Sequence, residues 1–351
     1  MIFNKFDQEK LIKWFKESKN QLMIYHRDAD GVCSAVLLLK FFSEFRHIPR
    51  EGPLLDKKFI RLLESRRPDL LVFLDIPIDQ EWKKIDKLLE NLPETKLVVI
   101  DHHIPEKNMN SQRIIHINPR LRKGGEKSYI PTSCILYELF RELGYNVEPY
   151  MWISVIGIIG DYARKDCEWF LARYKEIRGQ ENFKKDILRL TNACDMISSA
   201  ITLKGLEGAE KSLAMLLSSE SYEDFEKSRQ FKKWNNLVKT EIKKILRDFE
   251  KNKEEFPTKN LIFYKIKSKL NITSIISTIL AEKYPDKIII VRKKSPNGWK
   301  ISLRYQKGDV NIGSLAKKAS EGIGSGGGHP KSAGAMVSEW HVFKERVLSW
   351  I

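Results

Sequence analysis

Cysteine is scarce in this 351-residue chain, and the four present, Cys33, Cys134, Cys167 and Cys194, lie far apart with no C-x-x-C pair. That spacing excludes a zinc knuckle and a thioredoxin-like redox motif, and it predicts reduced, mostly buried thiols. Long apolar runs are lacking too. No window approaches the roughly 18 apolar residues that a spanning helix needs. The N-terminal MIFNKFDQEKLIKWF interrupts each apolar cluster with lysines or acids, unlike a signal peptide. The expectation is a cytoplasmic protein with no membrane partner. Internal repeats and low-complexity tracts are also missing.

Acids are in deficit: 46 Asp+Glu stand against 62 Lys+Arg, a net charge of +16. Such a field attracts polyanions, which makes nucleic acid the leading partner class. Lysine richness also accompanies adaptation to heat, so charge alone does not decide the matter. A hydrophobic content of 42% with 31% charged residues suits a soluble globular protein. The length exceeds what one core usually serves, so two domains are expected.

Four apolar runs in the first half, QLMIYH, DLLVFLDI, KLVVIDHH and RIIHINP, read as strands. Their continuous apolarity implies burial on both faces, as in a parallel sheet covered by helices. Helical patterns separate them: GVCSAVLLLKFFSEF, DQEWKKIDKLLENL and PTSCILYELFRELGY, the last with Thr132 or Ser133 as N-cap and Gly144 as its stop. The expected fold class is therefore α/β, with a doubly wound, mainly parallel sheet. Strand signals vanish from about residue 150 to 256. There, Phe231, Trp234, Val238, Ile245 and Phe249 mark one apolar helical face. Beyond KEEFPTKN, the strand-like LIFYKIKS, KIIIVRKK and WKISLRYQ alternate with helical ITSIISTILAEKY and IGSLAKKAS, and a glycine cluster, EGIGSGGGHPKSAG, follows. A second, smaller α/β domain is expected there.

Ligand sites in open α/β sheets lie at the carboxyl ends of the strands. Three strands here end in metal-ligating side chains. The first delivers His26, Asp28 and Asp30, which alternation points to one side of an extended chain. The second delivers Asp75, and the third Asp101, His102 and His103. Asp161 follows the apolar GIIG, where an unpaired carboxylate is costly to bury and a cation offsets the cost. Taken singly, an aspartate at a strand end is more often a helix cap and a histidine merely hydrogen-bonded. Convergence on one sheet edge favours a metal site. Mixed imidazole and carboxylate donors suit Mn2+, and Mg2+ less well. So many carboxylates call for two cations, about 3.5–4 Å apart, the usual arrangement for hydrolysing phosphate esters.

These residues resemble a known family. HRDADGVCSA, LVFLDIP, VVIDHH and GIIGDYA are similar, in order and spacing, to the four motifs of the DHH phosphoesterase superfamily, and the C-terminal segment through GGGHPKSAG looks like its DHHA1 domain. The resemblance implies a DHH catalytic domain over 1–190, a helical connector over 191–257 and a DHHA1 substrate-binding domain over 258–351. It implies two Mn2+ per site, with Mg2+ as the alternative: His26, Asp28 and Asp75 on one, Asp30, His102 and Asp161 on the other, and Asp75 shared. It implies that His103 faces the scissile phosphate, supported by Asp101. Ser302, Arg304, Gly326, Gly327, Gly328 and His329 would hold the substrate, with the glycines in a loop. That loop has a physical rationale of its own, because glycines let backbone N–H groups approach an anion.

HRDADGV resembles the RecJ-like and archaeal branch more than the nanoRNases, which implies an exonuclease releasing mononucleotides from single-stranded DNA or RNA. The compact length leaves open a nanoRNase or small-nucleotide phosphodiesterase acting on short oligonucleotides, cyclic dinucleotide products or phosphoadenosine phosphate. A third alternative is an inactive RecJ-like replication scaffold, against which stands the filling of each metal position. Tyr25, Tyr162, Trp299 and Tyr305 are candidate base-stacking aromatics, each equally suited to a core. Helicase, replication or repair partners and self-association are compatible with the family and not specified by the sequence.

Overall fold

The computed structural model describes residues 5–351, so the first four residues of the N-terminal segment lie outside the described residues. The chain divides into two compact units, Met1–Asn235 and Asn236–Ile351. The first begins α1 (Lys5–Glu17), β1 (Gln21–His26), α2 (Ala29–Phe41), β2 (Arg46–Arg50), α3 (Lys57–Arg66), β3 (Leu70–Leu74), α4 (Trp82–Asn91), β4 (Lys96–Ile100) and β5 (Ile114–Ile117). It continues with α5 (Thr132–Glu142), α6 (Met151–Gly160), α7 (Glu168–Arg178), α8 (Gln180–Lys204), α9 (Leu206–Ser218), α10 (Tyr222–Glu226) and the start of α11 (Arg229–Asn252). The second unit holds β6 (Glu254–Phe256), β7 (Leu261–Ile266), α12 (Thr273–Lys283), β8 (Ile288–Ser295), β9 (Gly298–Arg304), α13 (Ile312–Ala319), β10 (Gly324–His329), β11 (Ser332–Val337) and α14 (Trp340–Trp350).

Five parallel strands in the order β2-β1-β3-β4-β5 make the first sheet. The alternation of strand side chains divides each central strand between two cores. Met23 and Tyr25, Val72 and Leu74, and Val98 and Ile100 face the core shared with α2, α5 and α6. Leu22 and Ile24, Leu71 and Phe73, and Leu97 and Val99 face Phe59, Leu63, Ile85 and Leu88 of α3 and α4. The sheet is thus covered on both sides, as the apolar strands require. The chain leaves β1 in one direction and β3 in the other, which puts a topological switch point between those neighbours, where a crevice opens.

The first core extends through Leu190, Met196 and Ile197 of α8, Leu213 of α9, Phe225 of α10 and Trp234 of α11. The five apolar residues read as one face of α11 are all buried. No helix of the described residues is long and apolar enough to cross a membrane.

The second sheet runs β10-β11-β9-β8-β7-β6, parallel only between β7 and β8. The glycine cluster departs from its expected form: Gly324–His329 is not a loop but an edge strand paired antiparallel with β11. Glycine-rich sequence carries no strand signal, yet here bareness admits a helix. A Cβ on Gly326 would sit 2.6 Å from the Ala316 carbonyl oxygen of α13. Strands β2 and β6 also escape a periodicity reading, because RHIPR and EEF bury little. Tyr25 and Tyr305 are core residues rather than base-stacking surfaces.

Candidate metal centre

Each ligand-type side chain reaches the switch point for a local reason. Asp28 caps α2, its Oδ1 accepting the Gly31 N–H at 2.9 Å. The cap occupies one oxygen and leaves Oδ2 at 2.8 Å from His26 Nδ1, so the cap and ligand readings of this aspartate are compatible. Gly31 is obligatory, since a Cβ there would lie 2.1 Å from the His26 carbonyl oxygen. Asp75, just beyond β3, has φ +59°, a left-handed conformation that aspartate tolerates better than most residues. That turn aims its carboxylate back across the sheet edge, with Oδ2 3.4 Å from His26 Nδ1 and Oδ1 3.2 Å from His102 Nε2. Asp161 closes the far side, its Oδ2 3.2 Å from the same His102 nitrogen.

Asp30 is fully buried. Its carboxylate accepts the Thr132 N–H at 2.6 Å, the Ser133 N–H at 3.1 Å, and a short bond from the Ser133 hydroxyl. Those two amides are unpaired donors at the first turn of α5, whose dipole also favours an anion. Thr132 and Ser133 therefore serve Asp30, and Pro131 occupies the N-cap position expected for one of them. Gly144 does end this helix, with φ +82°.

Donor atoms of His26, Asp28 and Asp75 fall within 4.8 Å of one another, and so do those of Asp30, His102 and Asp161. A third such group joins Asp75, His102 and His103. Buried His26 Nδ1, Asp75 Oδ2 and Asp161 Oδ2 make no well-directed hydrogen bond. Burial, then the charge of Asp75, pushes the Asp30 carboxyl up to about 7. Burial, then Asp30 and Asp75, drives Asp161 well above the carboxylate range. Burial would raise Asp75 as well, but contacts with His102 and His26 outweigh it and hold this group low. Burial opposes charge on His26 and His102, yet Asp28 and Asp75 respectively raise them. Protons thus collect where positive charge is wanted. Orphaned oxygens, crowded carboxylates and imidazole donors fit a pair of divalent cations.

Around this hollow lies a supporting layer that sequence reasoning missed. Asn118 Nδ2 donates to the His103 carbonyl at 2.9 Å, and Arg120 Nε to the His102 carbonyl at 3.0 Å. The Tyr129 ring lies tilted against His102, with centroids 5.1 Å apart, and its hydroxyl donates to the Asp161 carbonyl at 3.3 Å. Asp101 is buried; its Oδ1 lies 2.8 Å from His103 Nδ1, and its Oδ2 accepts the His103 N–H. Burial opposes protonation of His103, but Asp101 outweighs it and lifts the imidazole to about 9. The INPR segment was the available signal for Asn118 and Arg120, although nothing in its pattern announces a contact to the histidine carbonyls.

In the second unit the register puts His329 opposite Ser332, and Ser332 opposite Arg304. One step along, Gly327 faces Gly334, which faces Ser302. Alternation therefore sets His329, Gly327, Ser302 and Arg304 on one face of the sheet, while Gly326 and Gly328 belong to the other. Gly327 has open space where a Cβ would be. Hydroxyls of α12 complete this face: Arg304 donates to Ser274 at 2.7 Å and to Thr278 at 3.2 Å, and the Ser277 and Ser302 hydroxyls are 2.8 Å apart.

Two family models match the chain, that of the DHH family, N-terminal domain, over residues 21–158 and that of the DHHA1 domain over 259–348. The chain belongs to the DHH family. Its DHH and DHHA1 domains carry a RecJ-like fold. RecJ from Thermus thermophilus, in complex with Mn2+, superposes with a TM-score of 0.75 at 19% identity, over 98% of this chain and 54% of that one. The chain thus spans about half the length of that RecJ. An exonuclease RecJ bound to manganese gives 0.72 at 18% identity, covering 100% of this chain and 95% of that one. The DHH domain of a member of a family of ribosomal proteins gives 0.73 at 16% identity, covering 100% and 93%. At such identities the likeness is one of fold. No curated protein matches the sequence. Members of the DHH superfamily are phosphoesterases, and the acidic and imidazole groups described above could bind metal.

Proposed function

We propose that this protein is a metal-dependent exonuclease that hydrolyses single-stranded DNA or RNA to mononucleotides. The observation that carries the reading is the pair of donor triads, His26–Asp28–Asp75 and Asp30–His102–Asp161, with Asp75 in contact with histidines of both. Divalent cations held there, Mn2+ before Mg2+, would supply electrophilic stabilisation of phosphoryl charge and acidify water. His103 stands beside the centre, its Nδ1 tied to Asp101 and its Nε2 left to donate a proton to the departing oxygen. Asp101 is a positioning residue: it fixes the ring and the tautomer. Arg304, Ser302, His329 and the bare backbone at Gly327 share one sheet face and suit the phosphates of a terminal nucleotide, Arg304 as a planar charged donor. The net charge of +16 suits a polyanionic strand. One RecJ neighbour is named an exonuclease, which supports the choice of activity.

The test is product analysis on end-labelled DNA and RNA strands of graded length with Mn2+, for the wild type and Asp75→Asn. Asparagine tolerates the left-handed backbone at this position, so the exchange removes a ligand charge without adding strain. The expected outcome is stepwise release of mononucleotides by the wild type and a loss of at least about a hundredfold in the variant. Turnover confined to dinucleotides would replace this reading with a small-nucleotide phosphodiesterase.

A further inference from the structure

We propose that the sheet of the second unit bears an additional contact for single-stranded nucleic acid, centred on Trp299, on the face opposite Ser302 and Arg304. Alternation along β9 sends Trp299, Ile301 and Leu303 to the core side and Lys300, Ser302 and Arg304 to the side of α12. Ile301 and Leu303 are buried on that core side, whereas Trp299 at the strand's start is half-buried and keeps part of its indole open. Three cations surround the ring: the Arg292 guanidinium at 4.7 Å from its centroid, Lys294 Nζ at 4.9 Å and Lys265 Nζ at 5.4 Å. Register places them there, since Lys265 is opposite Arg292 on β7 and β8, and Lys294 is opposite Trp299 on β8 and β9.

Among the described residues, no carboxylate is within ion-pair distance of any of the three. Glu254, whose charge acts on Arg292, is taken by Lys344. Arg292 is pinned from behind by Trp340, 4.1 Å away, and so stays beside the indole, while Lys265 and Lys294 are exposed. Cation–π attraction explains one such neighbour well, but three like charges around one ring repel each other. An anion relieves that repulsion, and the open indole asks for a flat partner. A nucleobase stacked on Trp299, with its flanking phosphates on Lys265 and Lys294, satisfies both demands. Of the four aromatics singled out in the sequence, Tyr25 and Tyr305 are buried and Tyr162 is exposed, while Trp299 combines a partly open ring with this group of cations.

The choice of occupant rests on the nucleic-acid reading above, so the experiment is binding in EDTA, where cleavage does not enter. A fluorescein-labelled 20-nucleotide oligo-dT is titrated, with anisotropy as the signal, against the wild type, Trp299→Ala, Trp299→Phe and the double variant Lys265→Ser/Lys294→Ser. Trp299→Ala should weaken binding roughly five- to a hundredfold, and Trp299→Phe should restore most of the loss. The double variant touches only exposed lysines, so it tests the surface even where the alanine variant is poorly folded. It should lower the salt slope of log affinity by about 1.4. Mn2+-dependent turnover of a dinucleotide should be unchanged in all of them. Unchanged oligo-dT affinity in the folded variants would overturn the proposal. So would poly-glutamate competing as well as unlabelled oligo-dT, an outcome that points to an acidic protein segment. Absence of any nucleotide release by the wild type sinks the exonuclease reading alone and leaves this binding result to be judged separately.

Discussion

Gly157 offers a severe test of how Asp30 is held. It lies within α6, where exchange for alanine on propensity grounds stabilises by about 1 kcal/mol. A Cβ at this point, however, would stand 2.1 Å from Ser133 Oγ and 2.5 Å from Asp30 Oδ1. Neither neighbour can retreat into water, because both are fully buried. Ser133 is further tied by its carbonyl, which accepts the Ser154 hydroxyl at 3.1 Å. Overpacking costs about 1–3 kcal/mol, and a weakened hydrogen bond to a charged acceptor costs about 1.5–3 kcal/mol. The steric side wins, and Gly157→Ala should destabilise the metal-free protein by about 1.5–5 kcal/mol once the propensity gain is subtracted. The displaced carboxylate should also weaken Mn2+ binding about 10- to 100-fold, the usual effect of disturbing a ligand's support. Urea unfolding in EDTA and calorimetric titration with Mn2+ measure the two effects. Gly144→Ala is the control: φ is +82° and nothing lies near its Cβ, so it should cost about 1 kcal/mol of strain and leave Mn2+ affinity alone. Mn2+ affinity within about twofold of wild type in Gly157→Ala would refute the reasoning.

Mn2+ at a hundred times its Kd should stabilise the fold by about 2.7 kcal/mol, read as a raised Tm that EDTA reverses. Protons compete with the metal for Asp30, whose carboxyl is pushed up to about 7, and for Asp161, His26 and His102, which are raised as well, so apparent affinity should rise with pH through neutrality; a flat profile from about pH 5 to 7 would count against that competition. Asp186 lies away from the centre. Burial would raise its carboxyl, but Arg178, then Tyr222 and Tyr174, outweigh that and hold it low. A folded pKa below the unfolded value of about 3.9 means stability present above that pH and lost as pH falls. Asp186→Asn should therefore be less stable than wild type in neutral urea titrations, with the gap closing in acid. In the DHHA1 domain, Gly326→Ala drives a Cβ against the Ala316 carbonyl and should cost about 1–3 kcal/mol. Gly327→Ala meets nothing in the fold, so it should leave stability unchanged and raise KM.

The parallel sheet was legible because burial on both faces writes itself as uninterrupted apolar sequence in β1, β3 and β4. Strands β2 and β6 were not, because an exposed edge needs no apolar side chains: RHIPR in β2 buries only Pro49 fully, and EEF in β6 none. For β10 the reason differs. At Gly326 a side chain is excluded by α13, a neighbour that sequence does not place beside it, and at Gly324 and Gly328 by the Met336 and Ser332 carbonyls of β11. A Cβ on Gly313 would in turn meet the Gly328 carbonyl at 2.2 Å, so helix and strand are bare at the same contact. Glycine read as freedom to turn is here glycine read as room for a neighbour, and only Gly327 keeps its open side.

The ligand-type residues of the centre were legible for a reason of topology. Strand ends at a switch point are close in space though far apart in sequence, so alternation in His26-x-Asp28-x-Asp30 and position after β3 and β4 sufficed to gather them. Their supports were not legible, because those act through backbone. Thr132 and Ser133 give Asp30 their amides, and Asn118 and Arg120 take the carbonyls of the two histidines. A hydroxyl in the first turn of a helix looks like a cap in any sequence, and what distinguishes Ser133 is a carboxylate from a residue 103 positions away. The consequence is asymmetric: exchanging a ligand removes charge from the centre, whereas exchanging a support such as Gly157 or Asn118 leaves each ligand present and misplaced. Activity alone does not separate the two kinds of loss, but metal affinity measured beside metal-free stability does. A support variant should lose both together, whereas Asp161→Asn should lose affinity at little cost to the metal-free fold, where burial, Asp30 and Asp75 already disfavour the charge of that carboxylate.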